Sequence, residues 1–163
     1  MNLQKFDHNL AMNNIEFSSQ LIQEVVEQGN QEAIPILMKY LMDTDSPILR
    51  NKIALALSDL GCEEAVLPII QLLNSPKTLR SRGTLLYALK PLDYSNHIEI
   101  LVDQMIDGNF EVRHESKELI IEVKDKLNDE VLQIILYKIK NKLSNLEEQM
   151  DFLTDSLEEF SKK

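Results

Sequence analysis

Between Leu49 and Gly61 the apolar residues Leu49, Ile53, Ala54, Ala56, Leu57 and Leu60 fall at steps of three and four, and that run recurs down the chain. Such steps stripe one face of an α-helix, and a glycine after the last apolar position ends it. Arg50, next to Leu49, has counterparts thirty-two and then thirty-one residues on, at Arg82 and Arg113. In that register Leu85, Leu86, Ala88 and Leu89 take the places of Ile53, Ala54, Ala56 and Leu57, and Leu119 and Ile120 take the last two again. A unit this short cannot enclose a core alone, so each copy must bury its stripe against the next.

Every copy follows a second amphipathic segment. Ala33, Ile34, Leu37 and Leu41 match Ala65, Val66, Ile69 and Leu73, then Leu101 and Met105. Breakers separate the paired helices at Asp43–Pro47, at Asn74-Ser75-Pro76 and at Asp107-Gly108-Asn109. Ile15 to Gln28 is a looser copy, preceded by an outer helix over residues 3 to 12. Val131 to Leu143 and Leu146 to Phe160 read as a last pair whose final helix carries a polar, capping face. The expectation is one domain, residues 1–163, with units near 1–29, 30–61, 62–93, 94–127 and 128–163.

Composition agrees with helix. Four glycines, five prolines and no tryptophan among 163 residues do not suit a sandwich or barrel. One cysteine, Cys62, excludes an intrachain disulfide and a cysteine-built metal site, and fits a reducing compartment. No apolar run reaches the length of a membrane span, and the first residues lack the pattern of a secretory signal. A cytoplasmic protein with no membrane contact is the expectation. The net charge of −10 is uneven: residues 49–92 hold 6 basic and 3 acidic side chains, residues 93–163 hold 9 and 17. Nucleic-acid binders present a dominant basic field, so the balance argues against nucleic acid.

The middle units resemble HEAT repeats of the short, phycobilin-lyase type. The resemblance rests on Ala33, Ile34, Leu37, Leu41, Asp43, Leu49-Arg50, Ala54, Ala56-Leu57 and Leu60-Gly61, and continues in Ala65, Val66, Ile69, Leu73, Arg82, Ala88-Leu89 and Leu92. It implies an all-α, right-handed α-solenoid of about five helix pairs, with the second helix of each pair on the concave side.

Few residues suggest catalysis. His114-Glu115 resembles the His-Glu pairs of deoxyhypusine hydroxylase, but the equivalent positions, Asn51-Lys52 and Gly83-Thr84, cannot ligate iron. No phosphate loop or nucleophile elbow is present. Two carboxylates after Cys62 disfavour its thiolate. The carboxylates around Glu147 and Asp151 lack a calcium loop. No catalytic residue, metal site or cofactor is expected. Arg50, Arg82 and Arg113 read as structural arginines that reach across each loop to a carboxylate or carbonyl. Lys77, Arg80 and Arg82 form the densest basic patch.

What remains is the outward side of the second helices. Asn51, Lys52, Leu55, Ser58 and Asp59 face out on the first, followed by Gly83, Thr84, Tyr87 and Lys90, then His114, Glu115, Glu118, Ile121 and Glu122. Apolar groups rimmed by charge are the material of protein contacts. The candidate binding residues are thus Lys52, Leu55, Thr84, Tyr87, Lys90, His114, Glu118, Ile121 and Glu122, for a protein or peptide partner, with a basic one suiting the acidic chain. The wording around Ser81–Leu89 resembles small bacterial HEAT proteins that act as immunity proteins against toxins. The phycobilin-lyase likeness implies a lyase or enzyme-accessory role as the rival, and HEAT-type DNA glycosylases a third.

Overall fold

The computed structural model describes residues 2–12 and 14–162; the outer bounds of the first and last units, at residues 1 and 163, lie outside them. The described residues are 84% helical. Its helices are α1 (Leu3–Ala11), α2 (Ile15–Glu27), α3 (Ile34–Asp43), α4 (Pro47–Asp59), α5 (Val66–Asn74), α6 (Arg82–Leu89), α7 (Ile98–Asp107), α8 (Phe110–Val123) and α9 (Asp129–Ser161). They stack in two layers. The second helices α2, α4, α6 and α8 pack side by side, and α3, α5, α7 and α9 lie behind them. This is the all-α solenoid expected from the repeat.

Local chemistry sets the helix ends. Asn14, Ser46, Asn109 and Asn128 each accept a hydrogen bond from the backbone N–H three residues on, satisfying a donor the helix leaves free. Gly29 and Gly61 follow α2 and α4 with φ of 59° and 66°. The chain then reverses so that Asn30 N–H donates to Val25 C=O and Cys62 N–H to Leu57 C=O, a closure that favours glycine at the left-handed position.

The repeated apolar residues form one continuous core. Leu49, Ile53, Ala54, Leu57, Ile69, Leu73, Leu85, Leu86, Leu89, Leu101 and Leu119 are fully buried, and Leu60 is partly so. The three arginines bind carbonyls rather than carboxylates. Arg50 Nη2 donates to Thr44 C=O, Arg82 Nη2 to Ser75 C=O at 3.3 Å and Arg113 Nε to Gly108 C=O at 2.7 Å. Each therefore ties the start of a second helix to the end of the one before it. Asp107 pairs with Lys142 Nζ at 2.7 Å.

Three expectations need correction. Residues 131–160 are a single helix, not a pair: nothing between Leu143 and Leu146 has glycine's freedom or proline's missing donor, so α9 runs on. Ser58 is buried, not outward. Gly83 is buried too, since the side chain of Glu111 lies where its Cβ would be. The neighbour that approaches Gly83 belongs to α8, so no exposed backbone is left there for a partner.

Candidate binding face

Along α2, α4, α6 and α8 the side chains opposite the core line an open face with two shallow grooves. One, of about 220 Å³, lies between α2 and α4 and is lined by Ser19, Gln23, Val26, Lys52, Leu55 and Asp59. The other, of about 280 Å³, lies among α4, α6 and α8 and is lined by Leu55, Gly83, Thr84, Tyr87, Glu111 and Glu115. Leu55 stands in both, half-buried between them.

Of the residues expected to bind, Leu55, Thr84 and Tyr87 meet in the second groove, and Lys52 joins Leu55 in the first. Tyr87 is 56% exposed although it sits mid-helix among buried leucines, because the turn of α6 points it directly away from the core. Lys90 Nζ lies 4.8 Å from the Tyr87 ring centroid and 3.0 Å from Glu115 Oε2. The Glu115 carboxylate at that distance holds the Lys90 ammonium above its ordinary pKa. One lysine thus braces the ring and neutralises one carboxylate.

The rest lie on α8. Glu118 occupies the position thirty-one residues beyond Tyr87, so the Leu55–Tyr87 column ends in a carboxylate. Ile121, three residues later, is exposed and outside both grooves. Glu122 Oε2 accepts from Tyr94 Oη at 3.5 Å, and Tyr94 Oη also donates to Leu119 C=O at 3.0 Å. Burial, reinforced by the Glu122 charge, pushes the Tyr94 phenol up to about 12. His114 is exposed and packs at a tilt against Phe110, with ring centroids 4.4 Å apart.

Sequence reasoning missed Ser19, Gln23 and Val26 of α2, and Glu111. The α2 residues belong to the loosest copy of the repeat, yet aligning Gly29 with Gly61 places Gln23 under Leu55 and would have found them. Glu111 reaches the groove only because Gly83 leaves room for it.

The chemistry of the face is that of contact. An aromatic ring and a leucine lie beside a row of carboxylates, Glu111, Glu115, Glu118 and Glu122, spaced at i, i+4, i+7 and i+11 on α8. Among the described residues no three His, Cys, Asp or Glu side chains converge as a metal site would require. No described helix is long and apolar enough to cross a membrane. The free Cys62 is buried, and burial pushes its thiol up, with Glu64 Oε2 3.5 Å away adding to the effect.

Comparison with known proteins fits this geometry. Residues 49–75, which run from the first turn of α4 through α5, match the family model for the PBS lyase HEAT-like repeat. No curated protein and no solved structure matches the chain. The matched window contains Arg50, the Gly61 reversal and both apolar stripes of the repeat, whose pattern the neighbouring helices extend in each direction. Over that window the chain is similar to the HEAT-like repeat family.

Proposed function

We propose that this chain is a non-catalytic binding module that captures a protein or peptide on the face formed by α2, α4, α6 and α8. The observation that carries the reading is Tyr87: a ring 56% exposed at the middle of the row, braced by Lys90 and adjoining the groove that Leu55 lines. A rigid, half-exposed aromatic beside an apolar groove is the usual anchor of a contact, because it buries much area at little conformational cost. The carboxylate row on α8 favours a basic partner. Its apolar side chain would enter between Leu55 and Tyr87, with lysine or arginine toward Glu118 and Glu122.

Capture from the native cytoplasm tests the proposal, with wild type compared against Leu55→Asp/Tyr87→Ala. The expected outcome is one stoichiometric partner that the variant loses by at least about thirtyfold in affinity, the scale of a hot-spot residue. Circular dichroism guards against misfolding, since Leu55 partly packs on the core. Capture undiminished in a folded variant would remove this face from the reading. Stoichiometric iron or chromophore in the purified protein would replace it with an enzyme-accessory role.

A further inference from the structure

The apolar side chains in the far part of α9 are exposed, yet its sequence is patterned for contact. Leu132, Leu136, Ile139, Leu143, Leu146, Met150, Leu153, Leu157 and Phe160 alternate steps of three and four without a break. These are the a and d positions of a heptad, the signature of one helix packed along another. The body covers only part of the first stretch: Leu132 and Ile139 are partly buried beside the buried Ile135, whereas Leu136 is exposed. α9 runs parallel to α7, with Lys138 Nζ 2.8 Å from Asp103 and Lys142 Nζ 2.7 Å from Asp107, the last residue of α7. Beyond Lys142 it overhangs by 19 residues, or roughly 28 Å. There Leu143, Leu146, Met150, Leu153, Leu157 and Phe160 are all exposed, Phe160 by 85%.

We propose that this overhang pairs with the same segment of a second copy, as an antiparallel two-helix coiled coil. Geometry selects the direction. At 100° per residue, Ile135 and Ile139, which pack against the body, lie within about 60° of Leu146, Met150, Leu153 and Leu157. The solenoid therefore sits on the seam side of α9. A parallel pair would put two bodies into one space, whereas an antiparallel pair puts them at opposite ends. The layers are then Leu143 with Phe160, Leu146 with Leu157 and Met150 with Leu153, each met twice across the two-fold axis.

Charge points the same way. Of the six carboxylates between Leu143 and Ser161, five lie at outer positions: Glu148, Asp151, Asp155, Glu158 and Glu159. The seam is flanked by Gln149, Thr154 and Ser156, with Glu147 facing the threonine. Antiparallel pairing also keeps the acidic tips, Glu158 and Glu159, at opposite ends of the pair, where a parallel pair would set them side by side. Two such segments bury on the order of 1,000 Å² between them, which suits micromolar self-association.

Sedimentation equilibrium of the full chain, from low to several hundred micromolar, tests the pairing. Wild type shifts from monomer to dimer, and Leu146→Glu/Leu153→Glu weakens the association more than about tenfold while helix content is kept. Oxidation of mixed Leu143→Cys and Phe160→Cys chains fixes the direction. Antiparallel packing couples the two variants to each other and leaves each alone uncoupled. Monomer at every concentration, a dimer indifferent to the double variant, or self-coupling of the single variants would each overturn the proposal. So would a monomer that takes up a basic helical peptide in place of a second copy, or one whose stability falls with the double variant because the segment folds back.

Discussion

Tyr94 shows how one buried polar atom can couple the stack to pH. Its ring is sealed in the core, and its hydroxyl donates to Leu119 C=O, so the loop before α7 is fastened to α8. Burial, reinforced by the Glu122 carboxylate, disfavours the phenolate, which is why the phenol is pushed up to about 12. In the unfolded chain the same group ionises near 10. Between those values the folded state holds a proton that the unfolded state has released. Stability is therefore intact below about pH 10 and falls by about 1.4 kcal/mol per unit until about pH 12. Tyr94→Phe forgoes the hydrogen bond, costing about 1 kcal/mol at neutral pH, and flattens the alkaline decline. Urea unfolding of both proteins at neutral pH and at pH 11 measures the difference; equal slopes would show that Tyr94 is not the titrating group.

α9 joins two regimes in one element. Up to Lys142 it is part of the solenoid, and Ile135 is buried against the body. Beyond that point its apolar side chains meet only solvent unless a second copy is present. Ile135→Ala should cost about 2–3 kcal/mol of stability, since it removes a buried side chain and leaves a cavity. Leu153→Ala should cost under about 0.5 kcal/mol at a concentration low enough to separate the copies. Urea midpoints on dilute protein decide this, and comparable losses would mean that the overhang packs on its own body. The same helix marks what the sequence made legible. From Ala33 to Val123 the stripes, the arginine and the breakers agree, so α3 to α8 could be read residue by residue. The break expected after Leu143 falls on Ser144 and Asn145, which are polar without stopping a helix. Gly83 read as exposed because its occupant, Glu111, comes from another repeat that local periodicity cannot see. Tyr87 was legible because exposure on α6 follows from helical geometry alone. The α2 side of the grooves was not, since its copy of the repeat is degenerate.

The whole molecule is a row of neighbours, and its stability should be distributed as in a row. α1 is held by α2 and by a few side chains of α3, where Lys39 Nζ lies 3.2 Å from Asp7 and Tyr40 Oη donates to Asp7 C=O. α4, by contrast, packs against α2, α3 and α6, and Arg50 within it carries a buried guanidinium to Thr44 C=O. Helices with neighbours on every side open only when the neighbours open, whereas end helices can leave alone. Amide hydrogen exchange should therefore be slowest in α4, α5 and α6, faster in α1, and fastest beyond Lys142 in dilute protein. Two substitutions of similar cost, about 3 kcal/mol each, separate the consequences. Phe6→Ala empties a fully buried site at one end and should speed exchange in α1 and α2, leaving α4 to α8 protected. Arg50→Ala leaves Thr44 C=O unpaired beside a void in the middle and should speed exchange on both sides of α4. If Phe6→Ala instead lowers protection equally from α1 to α8, the stack melts as one cooperative unit. The Tyr87 face would then be as rigid as the core beneath it, and a partner docking there would have no local opening to exploit.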